Sequence, residues 1–427
     1  MKHDLGLGLD FGTTGARACV LDEGGNIAHE ERIAYRDAAT QTPEDWRETL
    51  HALLRGLPPA IAGRLQRIAV DATSATVLLC DADLQPVSPA LLYHDGRAQA
   101  QAKQLQKLAP PGHTVCSASS GLAKFLWLTE HCDTSNACYF MHQADWLSAL
   151  LTGTGGTSDY HNALKTGYDV ERLCWPDWVQ QLPHSQLLPH VLAPGQLVAE
   201  ISPALAAHFA IDPACTIHAG TTDSIAAFIA ADVHEPGDAV TSLGTTLVLK
   251  LLSTARVEAA QYGVYSHRYG SLWLVGGASN AGGGVLRQFF SDPQLLELSA
   301  QIDATQDSPL DYYPLPRPGE RFPSNDPELA PRLTPRPLRP GSGQAVDDVA
   351  FLHGLLQGLS RIEAAGYARL AQLGATPLKR VITCGGGAAN LSWQQIRARL
   401  LGVPVSQARH AEAATGAALL ARQAGIM

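Results

Sequence analysis

Two stretches of the 427-residue chain combine glycine and threonine in a way that suits an anion. The first, residues 5–22, reads LGLGLDFGTTGARACVLD: a Leu/Gly strand ending at Asp10, a Gly12-Thr13-Thr14-Gly15 turn, and a second apolar run. The backbone N–H groups of such a turn can point at an anion. A carboxylate beside them makes sense if a divalent cation sits between it and phosphate oxygens. An ordinary hairpin with turn glycines reads the same way. The second stretch, residues 241–252, is TSLGTTLVLKLL, with Gly244, Thr245 and Thr246 at its turn. Two such hairpins, one in each half of the chain, read as an internal repeat. Facing each other, they would hold a nucleoside triphosphate between two domains.

Three further places offer chemistry at strand ends, where α/β proteins bind ligands. In TIHAGTTDSIAAF (residues 216–228) a strand ends in a turn, and Asp223 is either the cap of the next helix or a carboxylate aimed at a ligand. In RIAVDATSATVLL (residues 67–79) Asp71, Thr73 and Ser74 tip one strand, and a following strand is expected to end in His94, Asp95 and Arg97. Asp95 and Arg97 equally read as a simple loop pair. In RVITCGGGAANLSW (residues 380–393) Gly385, Gly386 and Gly387 let backbone approach a base or ribose, and Asn390 either contacts adenine or caps the helix. A glycine turn in residues 273–286 suits either backbone approach or strand-to-helix packing.

Asp-Phe-Gly-Thr-Thr at 10–14 and Ser-Leu-Gly-Thr-Thr at 242–246 resemble the FGGY carbohydrate kinases of the actin-like (ribonuclease H-like) ATPase superfamily, and the order of the later motifs extends the resemblance over nearly the whole chain. The resemblance implies an α/β protein of two ribonuclease H-like domains with the active site in the interdomain cleft. It implies transfer of the γ-phosphoryl group of ATP to a sugar hydroxyl. By the same resemblance Asp223 is the catalytic base, and Asp10 holds Mg²⁺ beside the substrate. Gly12, Thr13, Thr14, Gly244, Thr245 and Thr246 cradle phosphates; Gly385, Gly386 and Asn390 form the adenosine site, with Trp393 stacked on the base. Where the family reads roughly Ser-Gly-Gln-Met-His-Gly and Trp-Asn-Asp-Gln-Arg around the sugar, this chain has Asp71-Ala72-Thr73-Ser74-Ala75-Thr76 and Tyr93-His94-Asp95-Gly96-Arg97. Ala75 stands where D-xylulose kinases have histidine. The Asp-x-Thr-Ser-x-Thr form is similar to short plant and cyanobacterial members that resemble D-ribulose kinases. Ser74 and Asp95 are then the expected sugar contacts, with D-ribulose ahead of D-xylulose. Other sugar or polyol kinases, or a sugar and nucleotide sensor with little turnover, are the alternatives. Residues 157–169 resemble a family segment that packs near the cleft, with His161 in a polar contact. The helix near residues 411–418 resembles one that is expected to support the nucleotide site.

The elements that must position these residues are legible from caps and periodicity. Thr42-Pro43-Glu44-Asp45 opens a helix to about Gly56. Helices are expected over residues 120–131, 143–153 and 347–374, while ten prolines in residues 303–343, Pro340 among them, disfavour helix and central strand. The joint at Pro236-Gly237-Asp238 predicts domains 1–235 and 236–427. At 45% hydrophobic and 17% charged the composition is globular, and a net charge of −9 argues against nucleic acid or an anionic membrane as main partner. The eight cysteines are scattered with no Cys-x-x-Cys, as expected of free thiols in the cytoplasm. Met1–Asp4 run straight into a strand, so no signal peptide is expected, and no apolar run reaches membrane-spanning length. The expected partners are ATP and a small sugar, with the protein a monomer or homodimer.

Overall fold

The computed structural model describes residues 5–338 and 346–422; Met1–Asp4 and Pro340 lie outside these. The chain forms two compact units, Met1–Ala230 with His410–Met427, and Ala231–Arg409.

In the first unit the N-terminal hairpin pairs β1 (Leu5–Phe11) with β2 (Gly15–Leu21), and β2 pairs with β3 (Ile27–Ala34). A long helix, Pro43–Gly56, follows. Thr42 caps it, Asp45 closes a capping box, and Trp46, Leu50, Leu53 and Leu54 pack into the core beneath the sheet. β4 (Leu65–Ala72) then lies parallel to β1. β5 (Val77–Cys80) with β6 (Tyr139–His142), and β7 (Thr157–Asp159) with β8 (His190–Leu192), form two small side sheets. β9 (Leu197–Glu200) and β10 (Thr216–Thr222) complete the main sheet in the order β3-β2-β1-β4-β10-β9. β1, β4 and β10 run parallel, so their C-terminal ends open on one edge.

The second unit repeats this plan. β11 (Asp238–Leu243) and β12 (Leu247–Ser253) form a hairpin; β13 (Tyr265–Tyr269) and β14 (Leu272–Ser279) extend it antiparallel; β15 (Arg380–Cys384) and β16 (Val405–Gln407) extend it parallel. The order β14-β12-β11-β15-β16 has the strand directions of β3-β2-β1-β4-β10. The helix Asp348–Gln372 buries Leu352, Leu355, Leu356, Leu359 and Ile362 against this sheet, capped by Asp347. Residues 303–338 carry neither helix nor strand, as their prolines require.

Two expectations need correction. The C-terminal helix Ala413–Arg422 belongs to the first unit, not to a second domain running to residue 427, and it packs against β1 and β2, the strands that flank the Gly12–Thr14 turn. Small residues decide this: a side chain at Gly8 of β1 would strike the backbone of Ala414 and Ala418, and one at Gly416 would strike Ala226. Glycine on both surfaces permits that approach. The strand expected to end at His94 is instead a loop, held to β5 by isolated bridges, Leu91 to Val77 and Pro86 to Cys80. No helix among the described residues is long and apolar enough to cross a membrane.

Candidate active site

Three carboxylates occupy the open edge of the first sheet. Asp10 lies on β1 directly in register with Asp71 on β4, Asp71 is in register with Thr221 on β10, and Asp223 follows at the first turn of the helix Asp223–Ala230. Asp10 is nearly buried and Asp71 wholly so. Asp10 Oδ2 accepts from Arg17 Nη1 at 2.8 Å, but Asp10 Oδ1 and both Asp71 oxygens have no hydrogen-bond donor. Burial drives the Asp71 carboxyl well above the usual range, and the charges of Asp10 and Asp223 push it the same way. Burial also raises Asp10, against the pull of Arg17. Asp223 is half-buried, and its Oδ1 accepts from the adjacent Ser224 amide at 2.6 Å. His161 meets Thr221 Oγ1 at 2.7 Å, so it is a polar brace for the end of β10.

The turn beside Asp10 is closed by Gly12 N–H to Gly15 O (3.1 Å). Gln41 Nε2 donates to Thr13 O and Tyr35 N to Thr14 O, which leaves Thr13 and Thr14 exposed on a braced loop.

Ser74 and Asp95 sit on two loops of the same unit. Ser74 is half-buried at the tip of a turn in which Thr76 N donates to Thr73 O, with Thr73 Oγ1 on Gln143 Oε1 at 2.8 Å. Asp95 takes Arg97 Nε at 3.0 and 2.9 Å and Nη2 at 2.8 Å. Burial pushes its carboxyl up, but those bonds outweigh it and hold the group below the usual range.

In the second unit Gly244, Thr245 and Thr246 form the β11–β12 turn. The glycine turn after β14 donates Gly283 N to Gly244 O (2.8 Å) and Gly284 N to Thr245 O (3.1 Å), so it supports that loop from behind. Gly385 and Gly386 are exposed at the end of β15, with Gly385 at φ +84°. Asn390 is the helix cap: its Oδ1 accepts from Trp393 N at 2.9 Å and its Nδ2 donates to Ser299 Oγ. Trp393 does not offer a face to a base. Its ring is buried in the core, with Nε1 donating to Ser360 Oγ at 3.1 Å, because the first turn of the helix Leu391–Leu401 rolls it inward.

Two features were missed in the sequence. A hairpin turning at Thr13-Thr14 places Asp10 opposite Arg17, so their pairing was readable by counting register. The Arg17 contact with Glu412 at 3.1 Å joins residues nearly 400 apart in sequence and had no local signal. Among the described residues no three His, Cys, Asp or Glu side chains converge as a metal site.

The profile described as FGGY family of carbohydrate kinases, N-terminal domain, matches residues 5–230, and its C-terminal-domain counterpart matches residues 239–424. A xylulose kinase of Streptomyces coelicolor is 27% identical over 99% of this chain and 88% of its own length. A xylulose kinase of Lactococcus lactis is 24% identical over 57% of this chain, and there the match spans only about half of the relative, 52%. The crystal structure of xylulose kinase from Rhodospirillum rubrum superposes with a TM-score of 0.79 at 21% identity, covering 98% of this chain and 89% of that one. The chain belongs to the FGGY family of carbohydrate kinases.

Proposed function

We propose that the protein transfers the γ-phosphoryl group of ATP to a hydroxyl of a ketopentose, D-ribulose before D-xylulose. The observation that carries the reading is the row of Asp10, Asp71 and Asp223 at the C-terminal ends of three adjacent parallel strands. Phosphoryl transfer asks for positioning and charge neutralisation rather than covalent chemistry. Asp223, half-buried at the end of β10 and in the same row as Asp10 and Asp71, accepts the proton from the attacking hydroxyl. Ser74 and Asp95 bind sugar hydroxyls. The exposed Thr13 and Thr14, with Gly12, and Gly244, Thr245 and Thr246 bind phosphate oxygens through backbone N–H and hydroxyl groups. Gly385 and Gly386 admit the adenosine, without Trp393.

The residues fit a magnesium ion: Asp10 Oδ1 and the Asp71 oxygens are hard ligands in a buried place that no N–H or O–H donor reaches, and the two carboxyls interact with each other. Mg²⁺ is bound through one or two carboxylates together with substrate phosphates and water, so a three-residue cage is not needed. Bound there, it would neutralise phosphate charge. The eight free cysteines fit a reducing compartment such as the cytoplasm.

The acceptor preference rests on Ser74 and Ala75. A serine hydroxyl can donate to and accept from a sugar hydroxyl, and a methyl group at 75 cannot. The relatives named xylulose kinase favour D-xylulose as the second reading. Measuring kcat/KM for both sugars by coupled ADP release decides between them: a higher value for D-ribulose, falling in Ser74→Ala, supports the proposal, and a higher value for D-xylulose overturns the preference.

A further inference from the structure

The two sugar loops are tied together by one buried ammonium. Lys124 lies on the helix Gly121–His131 with its side chain fully buried. Its Nζ donates to Ala75 O at 2.8 Å and to Leu92 O at 2.6 Å. Ala75 follows Ser74 directly and is held at φ +61°, a left-handed conformation that a residue with a Cβ adopts only when its surroundings impose it. Leu92 O also accepts from Asp95 N at 2.9 Å, so the same carbonyl sets the turn that presents Asp95. One turn further along the helix, on the same face, Trp127 lies under the Arg97 guanidinium at 4.9 Å. Arg97 in turn grips Asp95.

We propose that Lys124 is a positioning residue for the sugar, a clamp that fixes the Ser74 turn and the Asp95 loop at one separation so that both contacts reach the same ketopentose. The inference rests on the assignment of Ser74 and Asp95 as sugar contacts. Its physical basis is that a buried charge is costly unless strongly hydrogen-bonded, and here the bonds go to main-chain carbonyls of two separate loops. Burial lowers the ammonium to about 7, with Asp95 pulling it back up and Lys165 and Arg97 adding to the fall. An apolar residue would fill the same space without that cost, so packing alone does not account for a lysine at this place.

The test compares Lys124→Met with Phe125→Leu, which loosens the core packing of the same helix without touching either carbonyl, using D-ribulose and D-xylulose as acceptors. Lys124→Met should raise the sugar KM about tenfold, the scale of a lost charge-assisted hydrogen bond, with KM for ATP unchanged. Phe125→Leu should leave both KM values at wild-type levels. Trp127→Leu reads the same clamp at a partly exposed position if Lys124→Met does not fold, and it too should raise the sugar KM alone. An unchanged sugar KM in folded Lys124→Met, or an equal rise in Phe125→Leu, overturns the clamp. Should Lys124→Met not fold, an unchanged sugar KM in Trp127→Leu does the same. If Ser74→Ala raises the sugar KM while the clamp variants do not, only the clamp falls. If the wild type phosphorylates neither sugar, the assignment of the loops falls and takes the clamp with it.

Discussion

Asp10 and Asp71 stand in register on neighbouring parallel strands, two buried carboxyls with three oxygens that receive no hydrogen bond. Two like charges so placed repel, and only a shared proton or a cation relieves them.

Replacing Asp71 by Asn keeps the shape and removes the charge. The Mg²⁺ concentration for half-maximal rate should rise about tenfold, read from initial rates at fixed ATP. With the metal removed by chelation, the same variant should be more stable than wild type at pH 8 and less distinguishable at pH 5. The raised folded pKa of Asp71 gives stability that is complete below the unfolded value of 3.8 and is lost as pH rises through the folded one. Asparagine has no such loss. Melting curves in chelator at the two pH values check the sign.

Lys124 predicts the opposite slope. Its folded pKa of about 7 lies below the ordinary 10.5. Below about 7 both folded and unfolded chains hold the proton, and the cost of burying it is complete. Between the two values only the unfolded chain holds it, so stability rises with pH. Wild type should gain on Lys124→Met by ~1.4 kcal/mol per pH unit across that window, measured as the difference in urea unfolding free energy at pH 7.5 and 9.

The second unit has its own buried ion pair. Arg397 Nε meets Glu363 Oε2 at 2.6 Å and Nη2 meets Oε1 at 2.7 Å, while Thr383 and Thr241 hydroxyls complete the network between two helices and two strands. Arg397→Met strands a buried carboxylate and should cost about 3–5 kcal/mol. The double variant with Glu363→Met should recover much of that loss in a urea unfolding experiment.

Much of this was legible in advance because it is local. The Gly/Thr turns, the capping box at Thr42 and the glycine that ends the helix Gln143–Thr152 each announce themselves within four residues. The internal repeat was visible in two turn motifs, and the sheets carry it in strand order. What was not legible depends on distant packing. Trp393 has the composition of a stacking residue, and only the roll of its helix buries it against Ser360. The final helix crosses to the first unit because Gly8 and Gly416 permit contacts with partners far away in sequence. The environment of Asp71 emerged only when three strands were aligned, since nothing near residue 71 names Asp10 or Asp223 as its neighbour.

The central claim is that Asp223 takes the proton in sugar phosphorylation, and Asp223→Asn tests it most directly. ADP release with Mg-ATP should be stimulated by a ketopentose in the wild type, and the variant should lose about 10²- to 10⁴-fold in kcat while its sugar affinity, measured by calorimetry, stays near the wild-type value. A variant that keeps its sugar-stimulated rate would contradict the assignment of the base. A wild type whose ADP release ignores every ketopentose, ketohexose, pentitol and glycerol offered would contradict the kinase reading itself.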